Sequence, residues 1–510
     1  MAIEIELKLL VAAHDVARLR RHPLLRNATH APAQRLYSVY YDTPDLKLWR
    51  AGLTLRLRRS GGRWVQTVKG EGSVTAGLHK RTEVEAEVVG PLPDLTVIEA
   101  PELVGHFASA QLRTQLKPVI VTEFTRARWL IEPVTDVGIE ASIDQGVIKS
   151  DDAAEPLSEL ELEIKNGEPW RAYQLALQLL GSVPLLVENR SKAERGIALR
   201  EGRARQPLKA GSSPVTDVMS AQEAFKALVH GCLAHFIANQ QGMLGSRNPE
   251  YLHQMRVALR RLRSVFGTFA PLFPAEALAP PIAETRWLAA ALGPARDWDV
   301  FNTEILPPVL ARYADHAGIA AVARAAARLR RSANRVARRA VTSARGQGFL
   351  LSVGGWLAAE TWVGGMDEVQ RAALNGPVIA FAGPVLGTAH ARVVKRGRHF
   401  ARLSPSKLHR LRIAAKKLRY ATEFFGLLYD GKRLRGYRAA LVQLQDALGR
   451  FNDAQTVTEL AARASRGLRG AGASEARGIM LGWSAGAQDL GTQQLHRIWK
   501  RFRGREPFWK

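Results

Sequence analysis

The chain has a single cysteine, Cys232, in 510 residues, so no intrachain disulfide and no cysteine-built metal site can form. Long apolar runs are missing too. The stretches near 348–359 and 376–389 contain glycine or proline and fall short of the roughly 18–20 residues that a membrane-spanning helix needs. The opening, Met-Ala-Ile-Glu-Ile-Glu, has acids where a secretory leader needs bases and an apolar core. A cytoplasmic protein without membrane insertion is therefore expected. No Walker A loop, dinucleotide-binding glycine fingerprint or kinase signature occurs. The last shortage is local: residues 211–510 carry 44 Lys+Arg against 20 Asp+Glu, whereas residues 1–210 carry 29 against 27. The first part keeps its acids and bases in balance. The second is a polycation that should seek a polyanion.

What is present changes character near residue 200. Residues 1–200 alternate with period 2 over 3–10, 36–42, 53–59, 63–69, 80–89, 119–132, 137–149 and 158–165, separated by turn signals such as Ser60-Gly-Gly62. Eight such strands can close into a barrel. From about 217 the period becomes 3.6, with helix breaks expected at Phe273-Pro274, Ala279-Pro280-Pro281 and Ser404-Pro405. The expected class is an α+β two-domain chain: an eight-stranded antiparallel tunnel over 1–202, a linker over 203–216, and an all-α domain over 217–510. The balanced charges of the first part suggest that it folds alone when cut near residue 208. The helical half contains a repeat. His253-x2-Arg256-x3-Arg260-Arg261-Leu262-Arg263 returns as His409-x2-Arg412-x3-Lys416-Lys417-Leu418-Arg419, and Leu292-Gly293-x3-Asp297 returns as Leu448-Gly449-x3-Asp453, both offset by 156 residues. Two related helical bundles follow from it.

The strands carry unusual charge. In Glu4-Ile-Glu6-Leu-Lys8 and Glu159-Leu-Glu161-Leu-Glu163-Ile-Lys165, carboxylates stack on one strand face and end in a lysine. Other strands answer with bases in the same alternation: Arg56 and Arg58, then Lys69. Glu4 and Lys8 stand ~13 Å apart at ~3.3 Å per residue, which suits a short chain of phosphoryl groups with a metal at one end. Oxygen donors suit Mg²⁺ or Mn²⁺. Glu4, Glu6, Glu161 and Glu163 are the candidate metal ligands. Lys8, Arg56, Arg58, Lys69, Arg81 and either Arg126 or Arg128 are the candidate phosphate clamps, since guanidinium offers two donors to phosphate oxygens. Cross-strand salt bridging on a solvated sheet is the plain alternative, and five strands alternating in the same sense weigh against it.

Taken together, Glu4-x-Glu6-x-Lys8, Tyr40-Tyr-Asp42-Thr43, Leu53-x-Leu-Arg56-x-Arg58, Trp64-x2-Thr67-x-Lys69, Glu159-x-Glu161-x-Glu163-x-Lys165 and Ser191-Lys192-x2-Arg195-Gly196 resemble the CYTH, or triphosphate tunnel metalloenzyme, pattern over roughly residues 1–200. The resemblance implies an eight-stranded tunnel holding triphosphate and a divalent metal. It places Lys8, Arg56, Arg58, Lys69, Arg126 and Lys192 on phosphates, and the four glutamates on metal. Hydrolysis of inorganic triphosphate is the leading expectation. An adenylate cyclase, a thiamine or nucleoside triphosphatase, and a non-catalytic polyanion scaffold are the alternatives.

On the helical side, His253, Arg256, Arg260 and Arg263 fall within about 80° of one helix face, with Leu252, Leu259, Leu262 and Phe266 supplying the buried side. His409, Arg412, Lys416 and Arg419 repeat that face. Further basic faces occur at Arg324, Arg328, Arg331, Arg335 and Arg338, and at Lys395, Arg396, Arg398 and Arg402. A zinc reading of the two histidines fails for want of a second ligand at helix spacing. These repeats, with Lys417-Leu-Arg-Tyr420 and Glu423-Phe-Phe425, resemble the CHAD domain over roughly 215–505. That resemblance implies two four-helix bundles around a basic channel and binding of inorganic polyphosphate; binding through both histidine-led faces and association with polyphosphate granules are the further expectations. Both histidines are expected to add affinity as they protonate below ~6.5. Nucleic acid is the competing polyanion, but aromatic stacking platforms and groove-reading motifs are missing.

Overall fold

The structure, a computed structural model, describes residues 2–98, 100–202, 205–429, 431–466, 471–489 and 492–509. The chain divides into two compact units. The first comprises Met1–Pro207 and Thr342–Thr361; the second comprises Leu208–Val341 and Trp362–Lys510.

In the first unit, nine strands are described: β1 Ala2–Val11, β2 Thr29–Asp42, β3 Thr54–Ser60, β4 Arg63–Thr75, β5 Leu78–Val88, β6 Lys117–Ile131, β7 Gly138–Ser150, β8 Ala153–Asn166 and β9 Leu185–Val187. All pairings are antiparallel in the order β5-β4-β3-β2-β6-β7-β8-β1, and β1 pairs with β5 to close the barrel of eight. Short β9 adds beside the end of β1. The barrel is polar inside and apolar outside. Leu7 and Leu9 alternate with Glu6 and Lys8 along β1 and are fully buried against outer elements. On another flank, Leu55, Leu57 and Val68 pack with Leu103, Phe107 and Leu112. One end of the interior is plugged by the helix Lys192–Arg200, whose Ala193 and Ile197 pack on Ile120, Phe124, Ile148 and Leu157. Gly196 permits that plug, because a Cβ there would lie 2.5 Å from Ile120. The sequence reading has eight strands; β9 is too short to alternate visibly.

The helix Ala344–Ala359 belongs with this first unit, although the sequence reading places 217–510 in one helical domain. Its glycines explain the placement. Gly354 and Gly355 face Tyr173 of the helix Trp170–Leu180, and Gly348 faces Leu177 and Leu180.

The second unit is helical, and its repeat is visible in the backbone. Helices Pro249–Phe269 and Pro405–Phe425 begin and end 156 residues apart, and so do the short 3₁₀ turns Ala270–Leu272 and Gly426–Leu428 that follow them. Equivalent residues of the two copies touch: the rings of Phe269 and Phe425 have centroids 5.8 Å apart. The two helices are further tied by Arg261 to Glu423 at 3.0 Å. Leu252, Leu259, Leu262 and Phe266 are buried, as their spacing requires. The break expected at Ala279-Pro280-Pro281 does not occur. The helix Ala275–Val300 runs through Pro280, Pro281 and Pro294. Leu278, Leu288, Leu292, Ala295 and Trp298 are buried along it, and that packing outweighs the lost backbone bonds. No described helix is long and apolar enough to cross a membrane.

Candidate functional site

Register builds the tunnel. Antiparallel partners point to the same side of a sheet, so Glu4 stands opposite Arg81, Lys8 opposite Glu161, Arg56 opposite Thr67, Lys69 opposite Glu83, Arg126 opposite Asp144, and Asp144 opposite Glu159. The cavity they line is about 270 Å³. It is lined by Glu4, Glu6, Glu161 and Glu163 and by Lys8, Arg56, Arg58, Lys69, Arg81, Arg126, Arg128 and Lys192. All twelve tunnel residues singled out from the sequence therefore face one space. Arg126 and Arg128 both line it, and they differ in setting. Arg126 holds Asp144 in a fork at 2.7 Å and bonds Glu161, while Arg128, also half-buried, reaches the exposed Gln34 at 3.1 Å.

The floor is a dense ion network. Lys8 is 2.7 Å from Glu6 and bonds Glu161. Lys192 sits 2.7 Å from Asp144 and 2.9 Å from Glu161, and also bonds Glu159. Higher up, Lys69 bonds Glu4 and lies 3.3 Å from Glu83. Burial opposes every one of these charges, so each survives only through its partners. At Glu161 the partners win: Lys192, Lys8 and Arg126 hold it well below the usual carboxylate range despite burial. At Glu6 burial and Glu161 push up, yet Lys8 and Lys69 bring it to about 2. At Glu4 burial wins, helped by Glu6, and its pKa is raised. Burial likewise raises Glu163.

Sequence reasoning missed several members. Asp144 and Glu159, both buried, place ligand oxygens within 4.8 Å of one another and of Glu161, a group able to hold a metal ion. The set is all oxygen, which fits a hard divalent cation rather than a thiophilic one. Asp144 stands alone in Ser-Ile-Asp-Gln, without the repeated carboxylates that drew attention to β1 and β8. Phe124 was also missed. Lys192, Arg126 and Arg58 lie 5.2, 5.7 and 5.8 Å from its ring centroid, so one apolar side chain supports three cations. Arg195 is a further buried base, bonding Glu155 at 2.9 Å and Glu159 at 3.1 Å.

The helical candidates are less uniform than their spacing. Arg256 donates to the carbonyl of Ala289 at 3.0 Å, and the buried Arg260 Nε has no hydrogen-bond partner among the described residues. Arg263 is exposed. His253 is half-buried, and burial with the nearby Arg296 lowers its pKa to about 4, against the expectation that it charges near 6.5. In the second copy His409 is exposed, while Arg412 and Lys416 are partly buried. Arg419 is compensated by Glu423 at 2.8 Å and Gln445 at 3.1 Å. The side chain of Asp453 lies outside the described residues. A separate groove of about 860 Å³ is lined by Arg247, Arg328, Arg330, Arg331, Arg335 and Arg338; among the described residues no acid lines it, though Arg330 is paired with Asp299 at 2.7 Å. Neither histidine-led face contributes its bases to that groove.

Comparison with known proteins matches these two regions separately. The CYTH domain model matches residues 2–197 and the CHAD domain model residues 227–462. An inorganic triphosphatase of Haemophilus influenzae is 32% identical over 202 residues, 39% of this chain and 55% of that protein, so the chain spans about half the length of that curated relative. The crystal structure of the CHAD domain from the plant Ricinus communis is 28% identical and covers 59% of this chain and 98% of that one, with a TM-score of 0.51. The chain thus carries a CYTH domain at residues 2–197, followed by a CHAD domain at residues 227–462.

Proposed function

We propose that the tunnel hydrolyses inorganic triphosphate to pyrophosphate and phosphate with a bound Mg²⁺ or Mn²⁺, and that the helical unit binds inorganic polyphosphate. One observation carries the first part: a closed barrel lines a 270 Å³ cavity with both signs of charge, and its carboxylates include a group with metal-ligand spacing. Without ligand these acids and bases satisfy each other. A triphosphate entering with a divalent ion lets both change partners at little electrostatic cost, the bases to phosphate oxygens and the acids to metal.

Asp144, Glu159 and Glu161 have the spacing to hold an ion on the floor, and Glu4, Glu6 and Glu163 would offer carboxylates to a metal position further along the tunnel. Such an ion supplies charge neutralisation and a polarised water. Arg56, Arg58, Lys69 and Arg126 present donors to the phosphate chain, and Lys8 and Lys192 hold its inner end. In the reaction a water oxygen bonds a terminal phosphorus, the bond from that phosphorus to the bridging oxygen breaks, and pyrophosphate leaves with the electron pair. Fixed cations stabilise the charge gathering on that bridging oxygen.

The lining also favours an inorganic substrate. Beside the charged residues it offers Tyr40, Thr54, Thr67, Ser191 and Ala193, so among the described residues Tyr40 is the one aromatic surface for a nucleobase or thiazole ring. For the helical unit, the arginine-rich groove and the two histidine-led faces support a long polyanion, and binding to polyphosphate granules would follow. The decisive assay is phosphate release from tripolyphosphate, long-chain polyphosphate, ATP and thiamine triphosphate, each with Mg²⁺, Mn²⁺ or a chelator. Tripolyphosphate with metal should give the highest kcat/KM. Equal rates on ATP, cyclic AMP formation, or chelator-resistant activity would overturn the reading.

A further inference from the structure

Helix Ala344–Ala359 stands well away in sequence from every tunnel residue, yet it packs within the tunnel unit and reaches β1 by two routes. The first runs through Gln347. Its side chain is fully buried, and Oε1 accepts the N–H of Val187 at 2.9 Å. Val187 belongs to β9, a three-residue strand that pairs only with β1 among the described strands. The next residue, Glu188, donates its N–H to the carbonyl of Lys8 at 3.1 Å. The second route runs through Gly354. A Cβ there would lie 2.6 Å from the Tyr173 ring, so only glycine permits this approach. Tyr173 in turn donates its hydroxyl to the carbonyl of Thr75. Two residues on, Gly77 accepts the N–H of Lys8 at 2.9 Å. Gly77 itself is held at φ +87° by Asn189, whose Oδ1 accepts its N–H at 2.8 Å. The N–H and the C=O of Lys8 are thus both bonded to segments that this one helix clamps.

We infer that Gln347 and Gly354 are positioning residues for the tunnel, setting where β1 places the Lys8 ammonium against Glu6, Glu161 and the inner end of the substrate. The inference rests on the triphosphatase reading for its kinetic consequence, though not for its structural one. A fully buried amide is retained in an otherwise apolar packing layer because β9 offers an N–H that no further strand takes up. Leucine-type packing would hold the helix in place; it would not fix the height of β9. Small misplacement matters here, since a shift of ~1 Å at a positioned group can cost on the order of a hundredfold in rate.

The test uses the full chain. Gln347→Met keeps the volume and removes the acceptor, and Gln347→Glu keeps an acceptor. Leu351→Ala, at a fully buried position of the same helix, removes packing while leaving the Gln347 acceptor and Gly354 in place. With tripolyphosphate and Mg²⁺, Gln347→Met should lower kcat by roughly tenfold with KM changed less than about twofold, because the clamps nearer the mouth still hold the ground state. Gln347→Glu should recover most of that loss. Leu351→Ala should lower Tm and leave kcat near wild type. Gly354→Ala disturbs the Tyr173 route alone and should act in the same direction as Gln347→Met, which keeps the idea testable if the methionine variant does not fold. Amide hydrogen exchange at Lys8 and Glu188 gives a readout independent of turnover. It should accelerate in Gln347→Met and Gly354→Ala while the β6 and β7 amides stay protected. If wild type releases no phosphate, the triphosphatase reading fails and exchange alone decides this one. Unchanged exchange and kcat in both variants, or an equal kcat loss in Leu351→Ala, would show that the helix only packs.

Discussion

The two units carry many bases and use them in opposite ways. In the tunnel unit nearly every base of the floor has a carboxylate partner: Lys8 with Glu6, Lys69 with Glu83, Arg126 with Asp144, Lys192 with Asp144. In the helical unit no acid lines the 860 Å³ groove among the described residues, and of its arginines Arg330 is paired with Asp299 at 2.7 Å while Arg338 donates to the carbonyls of Leu244 and Ser246. Burial explains the contrast. A charge enclosed in a barrel must be paired, whereas a charge on an open helix face is paid for by water. The difference sets the kind of anion each can select. A densely paired site admits an anion only together with its countercharge, whereas a groove lined by bases and no acid attracts polyanions through its net charge.

The sharpest way to break the comparison is to separate the regions at residue 207. Charge balance alone says that 1–207 should stand by itself. Packing argues for the opposite expectation, because Phe349, Leu350, Leu351, Val353 and Leu357 are buried, group with the tunnel unit and would be deleted. Each such side chain is worth roughly 1.5–3 kcal/mol, and a domain's whole stability is only about 5–15 kcal/mol. The 1–207 fragment should therefore show no cooperative thermal transition, whereas 1–207 joined through a flexible linker to 342–361 should regain one. A fully folded, active 1–207 fragment would make the helix dispensable.

Next in size is the floor of the tunnel. Glu161→Ala leaves Lys8, Arg126 and Lys192 facing one another in a buried space, so it should lose activity by about 10²–10³ and also lower Tm. Adding more Mg²⁺ should not restore the rate. A variant with near-normal rate and metal dependence would mean that the carboxylates serve only as salt-bridge partners.

Much of this floor was legible beforehand, for a physical reason. A barrel with a charged interior reverses the usual polarity, so Glu4, Glu6, Lys8, Arg56, Arg58, Glu161 and Glu163 stand out as runs of like alternation. Asp144 occurs on a strand without the repeated carboxylates of β1 and β8, and Phe124 is an apolar residue beside Arg126 and Arg128 on β6, so only register brings them in. The helical repeat was legible because its offset is kept through a helix and the following turn. The placement of helix 344–359 was not: Gly354 and Gly355 read as weak helix residues until Tyr173 is seen against them. Prolines 280 and 281 misled for the converse reason, since a buried face some twenty residues long outvotes a local breaker.

A third, smaller effect separates the two anion modes. Long-chain polyphosphate should bind the full chain with an affinity that falls steeply with salt, while the KM for tripolyphosphate in the enclosed tunnel should change less. Replacing Arg256, Arg260, Arg412 and Lys416 together by alanine should abolish polyphosphate binding and leave tripolyphosphate turnover within about twofold of wild type. A parallel Arg328, Arg331 and Arg335 triple variant shows how much the groove adds. Duplex DNA of equal charge is the control; if it binds as tightly as polyphosphate, the surface is generic.

The smallest expected effect concerns His253. With its pKa lowered to about 4 by burial and by Arg296, it stays neutral in the folded protein until the pH is well below 6. In the unfolded chain an ordinary histidine takes its proton near 6.5, so between the two values the unfolded state binds the extra proton. The stability contributed by neutral His253 is therefore full above pH 6.5 and is lost as the pH falls towards 4. For binding, the same sign means that His253 adds no cation to its face across the range from pH 7.5 to 5. His253→Gln should leave the pH profile of polyphosphate affinity unchanged over that range. It should also flatten the acid loss of stability measured by Tm. A polyanion could in principle draw a proton onto the ring, and the profile would then steepen in the wild type alone. That result would make His253 a charged member of the face and erase the difference between it and the exposed His409.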